Sequence, residues 1–308
     1  MIKEEPIKKV AIMDLGSNSV RMDVIEICAD RTYTYLRRVR ELVKLSEGMG
    51  EDMRLQPEAM ERTTAVISDY MKLAEQDGAE EVIAVATAAV RKASNGEDFC
   101  RMVQDRCSLA LEVISGEREA EYVFDGVMGG LELSDCVIVD TGGGSTELIL
   151  VSGCEALARV SLPFGAVSLS EQFCIYGETE QSLREARSFL GSQLDKISWL
   201  DEAQELPVVG VGGSICTLGV VDASLTNTDR PLHGYTLDAE RAEEVYEQIF
   251  DMDDDARLSA GIEAGRLDTV LCGQLPVLAL MEKLSSPQLV ISTAGLREGV
   301  LYSLLENI

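Results

Sequence analysis

Two apolar segments of this chain each end in an aspartate that is followed at once by a turn of small residues. The first is Val10–Asp14, which continues as Leu-Gly-Ser-Asn-Ser, and the second is Val137–Asp140, which continues as Thr-Gly-Gly-Gly-Ser-Thr-Glu. A buried strand that ends this way directs backbone N–H groups and a metal-binding carboxylate at one small volume, which suits a phosphate chain with its magnesium ion. Because the two turns lie far apart in the sequence, they predict two lobes that close on one phosphorylated ligand.

The length of the chain and its lack of long apolar runs define its class. With 308 residues it fits two domains of about 150 residues each. No apolar run approaches the roughly 20 residues that cross a bilayer, and the N-terminus is polar and charged rather than signal-like. The eight cysteines form no CxxC pair, as is typical of reduced thiols in a cytosolic protein. We therefore expect a cytoplasmic protein with no membrane partner.

The charge of the chain restricts its ligands. Its 27 Lys and Arg against 54 Asp and Glu give a net charge of −27, a field that opposes long-range attraction of a polyanion and argues against a nucleic-acid partner. A phosphate ligand must then be held by local amides, magnesium and a few arginines. Because His233 is the single histidine, a His-rich metal site is excluded and a metal must rely on oxygen ligands.

The order of elements indicates a duplication. In the first half we expect the strands Lys9–Asp14, Val20–Ile27 and Thr32–Arg40, a helix from Pro57 toward Gly78, the strand Glu81–Ala86, a turn at Thr87–Asn95, a helix near Glu97–Arg106 and the strand Leu109–Ile114. In the second half we expect the strands Cys136–Asp140, Glu147–Ser152 and Glu155–Ser161, a helix at Glu180–Trp199, the strand Pro207–Val211, helices at Ala239–Phe250 and Gly265–Lys283, the strand Gln288–Ser292 and the helix Gly295–Leu305. Parallel strands joined by helices place ligands at the carboxyl ends of the strands.

The two turns supply candidate ligand-binding residues. Asp14, Asp140 and Glu147 offer hard oxygen ligands for magnesium. The backbone N–H groups of both turns can cradle phosphate oxygens, and glycine allows the close approach that this requires. The phosphate-binding candidates are Gly16, Ser17, Asn18 and Ser19 in the first turn and Gly142, Gly143, Gly144 and Ser145 in the second. Either turn alone is equally compatible with an ordinary hairpin, whereas the pair favours a phosphate site.

Two further segments could complete a phosphoryl-transfer site. A strand near residue 114 runs into a helix whose first turn carries Glu117, Glu119 and Glu121. One of these acids could be a general base, although the helix macrodipole alone also favours acids at this position. Arg91 and Lys92 follow another strand and form a candidate phosphate clamp. An ordinary surface pair of cations explains them equally well.

Together these segments resemble the exopolyphosphatase/guanosine-pentaphosphate phosphatase (Ppx/GppA) family of the actin–hexokinase-like superfamily. The resemblance covers essentially the whole chain. The matching segments are Asp14-Leu-Gly-Ser-Asn-Ser, Thr87-Ala-Ala-Val-Arg91, Ile114-Ser-Gly-Glu-Arg-Glu119-Ala, Asp140-Thr-Gly-Gly-Gly-Ser-Thr-Glu147, Leu162-Pro-Phe-Gly-Ala-Val, Gly212-Gly213, His233-Gly-Tyr-Thr-Leu, Gly265-Arg266-Leu-Asp268 and Gly295-Leu-Arg-Glu-Gly. Longer members carry an added C-terminal module with histidine motifs, so this chain is similar to the short, two-domain type.

The resemblance implies a fold and its division. The expected fold is α/β, with duplicated actin-like (ribonuclease H-like) domains and an interdomain cleft. The first domain covers residues 1–124 and the second covers 125–308, and the sequence leaves open whether the closing helix, 295–308, packs back on the first domain.

The resemblance also implies roles for named residues. By position, Glu119 is the catalytic base and Arg91 the phosphate-contacting arginine. Asp14, Asp140 and Glu147 match the magnesium-linked acids, with manganese as an alternative ion. Gly212 and Gly213 join the phosphate-binding set. The role of His233 stays open, although a structural imidazole is favoured over a catalytic one.

These roles imply a phosphoanhydride hydrolase that releases the terminal phosphate of inorganic polyphosphate, of guanosine pentaphosphate (pppGpp), or of both. The acidic composition favours short chains or the nucleotide, because long polyphosphate needs an extended basic track. A non-catalytic sensor of guanosine tetra- or pentaphosphate and an actin-fold kinase that uses ATP and a small acceptor are the alternatives. A homodimer is an expected assembly that the sequence does not decide.

Overall fold

The computed structural model describes residues 6–307, which form two sheets and eleven α-helices. The strands are β1 (Pro6–Leu15), β2 (Ser19–Cys28), β3 (Tyr33–Leu42), β4 (Glu81–Ala86), β5 (Glu112–Val113), β6 (Cys136–Thr141), β7 (Thr146–Ser152), β8 (Glu155–Leu162), β9 (Val208–Val211), β10 (Tyr235–Asp238) and β11 (Gln288–Ile291). The helices are α1 (Pro57–Gln76), α2 (Ala88–Lys92), α3 (Gly96–Cys107), α4 (Gly116–Met128), α5 (Ala166–Phe173), α6 (Glu180–Leu194), α7 (Gly213–Leu225), α8 (Ala239–Asp251), α9 (Asp254–Ser259), α10 (Val270–Leu284) and α11 (Leu296–Leu305). Short 3₁₀ helices cover Ser198–Glu202 and Ala264–Arg266.

The chain divides into two compact units. One unit comprises the chain up to Tyr122 together with the segment from Leu296 onward, and the other is Val123–Gly295. The division therefore falls inside α4 and again just before α11. In the first unit, α11 packs against β1. Within residues 6–307, no helix combines the length and the apolar character that crossing a bilayer would require.

The sheet of the first unit has the strand order β3-β2-β1-β4-β5. β1 pairs antiparallel with β2 and parallel with β4, so it lies in the middle of the sheet. The side chains of Val10, Ala11, Ile12 and Met13 are fully buried, as expected for a strand that is covered on both faces and reads as a continuous apolar run. Asp14 therefore lies at the carboxyl end of a central strand.

The sheet of the second unit has the order β10-β11-β9-β6-β7-β8. β6 occupies the position of β1, because it pairs antiparallel with β7 and parallel with β9. Read from β8 to β11, the order repeats that of the first sheet. The predicted duplication and the predicted fold class, α/β with two actin-like halves, are therefore confirmed.

The structure differs from the sequence prediction in a few elements. β10 is an added edge strand that pairs antiparallel with β11, and its four residues are too short for alternation to reveal. The segment expected to be a turn after β4 contains the five-residue helix α2, and the helices α5, α7 and α9 were not predicted. β5 has only two residues, because little of the predicted strand at 109–114 reaches the edge of the sheet.

One glycine, Gly299 in α11, lies where α11 and α4 are in close contact. A Cβ atom on Gly299 would lie 1.8 Å from the carbonyl oxygen of Tyr122, so only glycine fits there. By contrast, a Cβ on Gly191 in α6 would meet nothing within 4 Å.

We expect Gly299→Ala to destabilise the protein by about 2 kcal/mol or more, because backbone atoms cannot yield as a flexible side chain can. Gly191→Ala is the matched control, and it should be neutral or stabilising by about 0.5–1 kcal/mol because alanine suits a helix interior better. Denaturant unfolding of both variants measures the difference. Equal stabilities would show that α11 and α4 are not in close contact.

Candidate active site

The turn after β1 has the predicted sharp form. The N–H of Gly16 donates to the carbonyl of Ser19 at 3.0 Å, which closes the turn and starts β2. The carbonyl of Asn18 accepts from the N–H groups of Val43 and Lys44 at 2.9 and 3.0 Å, so the segment after β3 braces the turn. The amide of Gly16 therefore serves the turn itself.

A network of paired charges lies beside Asp14. Burial raises the pKa of Asp14, while the nearby cations Arg21 and Arg297 oppose that rise. The Nη1 atom of Arg297 lies 4.0 Å from Oδ2 of Asp14 and makes no hydrogen bond to any residue between 6 and 307. Its Nε donates to Oδ2 of Asp23 at 3.0 Å, and Arg38 joins Asp23 to Glu298 through bonds of 2.9 and 2.7 Å.

The roles of Asp23, Arg297 and Glu298 were not predicted from the sequence. Arg297 belongs to the matched Gly295-Leu-Arg-Glu-Gly segment, so a signal was present. The sequence indication for Asp23 was weaker: it is a charged residue within an apolar strand, and in the structure it is 2% exposed. A buried carboxylate requires partners, and those partners lie 15 and 274 residues away.

Arg91 and Glu119, predicted from separate segments, lie side by side in the first unit. The Nη1 of Arg91 donates to Oε2 of Glu119 at 2.9 Å and to the carbonyl of Ile114 at 2.8 Å. Glu119 is buried in the first turn of α4, whereas Glu117 in the same turn is exposed. The macrodipole explanation accounts for an exposed acid such as Glu117, but not for one that is buried against an arginine.

The second unit repeats the turn geometry after β6. The N–H of Gly142 donates to the carbonyl of Ser145 at 3.0 Å, the same bond that closes the first turn. The carbonyls of Gly142 and Gly143 accept from the first amides of α5, those of Ala166 and Val167, both at 2.9 Å. The start of α5 therefore anchors the turn at 142–145 from behind.

Asp140 and Glu147 are opposite each other across the β6–β7 pair, which places both side chains on one face of the sheet. Glu147 is 1% exposed, and its Oε1 accepts a hydrogen bond from the hydroxyl of Ser161 at 2.7 Å. Ser161 was not among the predicted residues. Asp14, the third predicted magnesium ligand, belongs to the first unit. Across residues 6–307, no group of three or more His, Cys, Asp or Glu side chains is arranged to hold a metal ion.

The glycine pair after β9 lies next to Asp140 and Arg266. Gly212 has φ 103°, a conformation that favours glycine, and a Cβ there would lie 3.2 Å from Oδ1 of Asp140. A Cβ on Gly213 would overlap the guanidinium of Arg266. The guanidinium thus rests against the backbone at the start of α7, where only a glycine leaves room for it.

The single histidine connects backbone segments of the second unit. Nε2 of His233 is 2.9 Å from the carbonyl of Gly130, and Nδ1 accepts from the N–H of Thr293 at 3.2 Å. Both ring nitrogens are engaged with the backbone, which is the arrangement of a structural imidazole.

Comparison with known proteins gives the family of this chain. Residues 24–308 match the model of the Ppx/GppA phosphatase family. Exopolyphosphatase 2 of Mycobacterium tuberculosis is 32% identical, with 96% of this chain and 98% of that protein covered. The guanosine-5'-triphosphate,3'-diphosphate pyrophosphatase of Pseudoalteromonas atlantica is 27% identical over 99% of this chain, which spans 60% of that protein's length.

A solved structure agrees with these sequence relatives. The crystal structure of the Aquifex aeolicus member of the Ppx/GppA family is 30% identical, covers 98% of this chain and 99% of its own, and superposes with a TM-score of 0.79. The fold, the paired glycine turns and the matched segments agree with this likeness. The chain belongs to the Ppx/GppA phosphatase family and is a hydrolase.

Proposed function

We propose that this protein hydrolyses the terminal phosphoanhydride bond of inorganic polyphosphate, with pppGpp as a second substrate. The contact between buried Glu119 and half-buried Arg91 carries the proposal. It joins a carboxylate that can accept a proton to a cation that can hold a phosphoryl oxygen, within one unit and at 2.9 Å. A binding-only sensor needs no such carboxylate, and a kinase would use an acceptor hydroxyl in place of water.

Glu119 is the proposed general base. It would orient a water molecule for attack on the terminal phosphorus and take its proton. The hydrogen bond from Arg91 fixes the orientation of the carboxylate, and the bond from Arg91 to the Ile114 carbonyl fixes the arginine in turn. Held in this way, Arg91 would also neutralise charge on the transferred phosphoryl group.

Each of the two turns is a proposed phosphate cradle. The amides of Gly16 and Gly142 close their own turns, so the amides that follow them are the ones offered to phosphate oxygens. In a chain with a net charge of −27, such fixed dipoles hold an anion where the overall field does not.

The donor set fits a hard cation. Asp140 and Glu147 present carboxylate oxygens from adjacent strand positions, and oxygen is the ligand that Mg²⁺ prefers, usually with only one or two carboxylates plus substrate phosphates and water. These two residues would hold the ion, with Mn²⁺ as a substitute. The ion would supply charge neutralisation for the leaving phosphate.

Chain coverage and charge guide the choice of substrate. The exopolyphosphatase relative is matched over nearly its full length, whereas the pyrophosphatase relative is matched over 60%. This favours polyphosphate as the first substrate. The acidic composition favours short chains, since each contacted phosphate of a long chain needs a nearby cation.

Glu119→Gln should lower kcat by about 10²–10⁴-fold, the usual contribution of a general base. The matched control is Glu117→Gln, which removes an exposed acid from the same helical turn and should retain wild-type turnover. Phosphate release from short polyphosphate and from pppGpp measures both variants. A Glu119→Gln enzyme with more than a tenth of wild-type turnover would assign the base elsewhere.

Ser161→Ala should raise the Mg²⁺ concentration needed for half-maximal activity by roughly tenfold, because the hydroxyl orients Glu147 and outer-shell partners typically contribute that much. The rise in unfolding temperature on adding Mg²⁺ should shrink in parallel, which gives a readout independent of turnover. Ser152→Ala is the control, since its hydroxyl bonds to Asp135 at 2.7 Å instead. Equal Mg²⁺ requirements in both variants would contradict the assignment of Glu147.

Hydrolysis rates should fall as polyphosphate length rises, and the fall should steepen at low ionic strength, where repulsion between an acidic protein and a polyanion is least screened. Initial rates on chains of defined length at two salt concentrations measure this dependence. Faster turnover of very long chains would contradict it and would indicate a local basic track.

A further inference from the structure

Two buried cysteines of the second unit lie side by side although they are 98 residues apart in sequence. The sulfur atoms of Cys174 and Cys272 are separated by 3.2 Å. Cys174 follows the last residue of α5, and Cys272 lies in the first turn of α10. Both are free thiols. A disulfide bond holds its sulfurs about 2.05 Å apart, so a contraction of roughly 1 Å would join them.

The two thiols differ in access to solvent. Cys272 is fully buried, whereas Cys174 is 9% exposed and is followed by Ile175 and Tyr176, which are 67% and 100% exposed. An oxidant therefore meets Cys174 first. Burial and the neighbouring sulfur raise the pKa of Cys272, which keeps it as an unreactive thiol until a partner arrives.

The helices that carry these thiols support the two glycine segments of the second unit. The first amides of α5 hold the carbonyls of Gly142 and Gly143. In α10, Gly273 lies so close to α5 and α7 that a Cβ there would be 2.4 Å from Oγ of Ser214 and 2.8 Å from Cβ of Ala166. The neighbouring Gln274 donates to the carbonyl of Ser214 at 3.2 Å. The three helix starts thus meet directly beside Cys272, with no free space between them.

We propose that Cys174 and Cys272 are an oxidation site, at which a disulfide draws α5 toward α10 and displaces the glycine turn at 142–145 and the start of α7. The inference goes beyond the proposed function, and the bond can be detected whether or not the protein turns over polyphosphate. The oxidant it requires is a peroxide.

The chemistry balances in two steps. The sulfur of Cys174 attacks one peroxide oxygen, so that an S–O bond forms, the O–O bond breaks, and the thiol proton leaves with the other oxygen as water. The sulfur of Cys272 then attacks the sulfenic sulfur, the S–S bond forms, the S–O bond breaks, and the hydroxide takes the Cys272 proton and leaves as a second water. The two sulfurs lose two electrons and the peroxide gains them.

The effect on turnover follows from the packing. The junction of α5, α7 and α10 has no space to absorb a contraction of roughly 1 Å, and a shift of that size at a positioning element can cost about a hundredfold in rate. We expect peroxide treatment to lower phosphate release by about tenfold or more, with recovery when a dithiol reductant is added.

The test is peroxide oxidation of the full chain, followed by digestion without reductant and mass spectrometry. The expected result is a linked peptide pair that contains Cys174 and Cys272, has lost two hydrogens and is separated by reductant. Cys272→Ser should give no such pair and should keep its activity after peroxide. Cys272→Ala serves the same purpose if the serine variant folds poorly.

The matched control is Cys154→Ser, because Cys154 is the exposed cysteine among the described residues and offers a competing site for peroxide. This variant should form the linked pair and lose activity as the wild type does. If Cys174 and Cys272 remain unlinked in the oxidised wild type, or if Cys272→Ser loses activity to the same extent, the proposal is wrong. Absence of phosphate release from the untreated wild type would count against the proposed function alone, since the linked pair is still measured.

Discussion

In each half of this protein, the buried central strand ends beside an aspartate, and the chain then reverses direction within a few residues. The rest of each half depends on this arrangement. The same backbone hydrogen bond closes the turn in both halves. It runs from the Gly16 N–H to the Ser19 carbonyl and from the Gly142 N–H to the Ser145 carbonyl, both at 3.0 Å. The central strands hold these turns rigidly because their neighbours on both sides are hydrogen-bonded to them. The positions of Asp14 and Asp140 at the strand ends follow directly from this geometry.

A second feature of the structure is that arginines neutralise individual acidic side chains, although the chain as a whole is acidic. Arg91 is bonded to Glu119, Arg297 connects Asp23 with the surroundings of Asp14, and Arg266 rests against Gly213. A buried charge is costly unless it is paired, so these arginines stabilise the acids that a phosphate-handling site requires. They also supply positive charge at the proposed phosphate-binding positions. The net charge of −27 therefore describes the surface of the protein better than it describes the candidate site.

The two turns were predicted from the sequence, whereas the residues that support the candidate site were not. The apolar runs before Asp14 and Asp140 and the glycines after them are local signals, and the structure forms both turns. Ser161, Asp23 and the start of α5 were missed because each acts through a partner that is distant in sequence or through a backbone carbonyl. The short strand β10 and the five-residue helix α2 were missed because tertiary packing, rather than periodicity, stabilises elements of that length.

The sequence by itself determined the α/β class, the duplication, the two turns and the family, because these depend on apolar runs, glycines and acids whose spacing is local. Only the tertiary structure decided which acids are buried and what holds them. The sequence does not distinguish Glu117 from Glu119, because both are glutamates in the same helical turn. In the structure Glu117 is exposed, whereas Glu119 is bonded to Arg91 from a different helix. Likewise, only the packing of α5 on α10 brings Cys174 to Cys272. Burial and pairing depend on which elements pack together, and that is a property of the fold rather than of any segment.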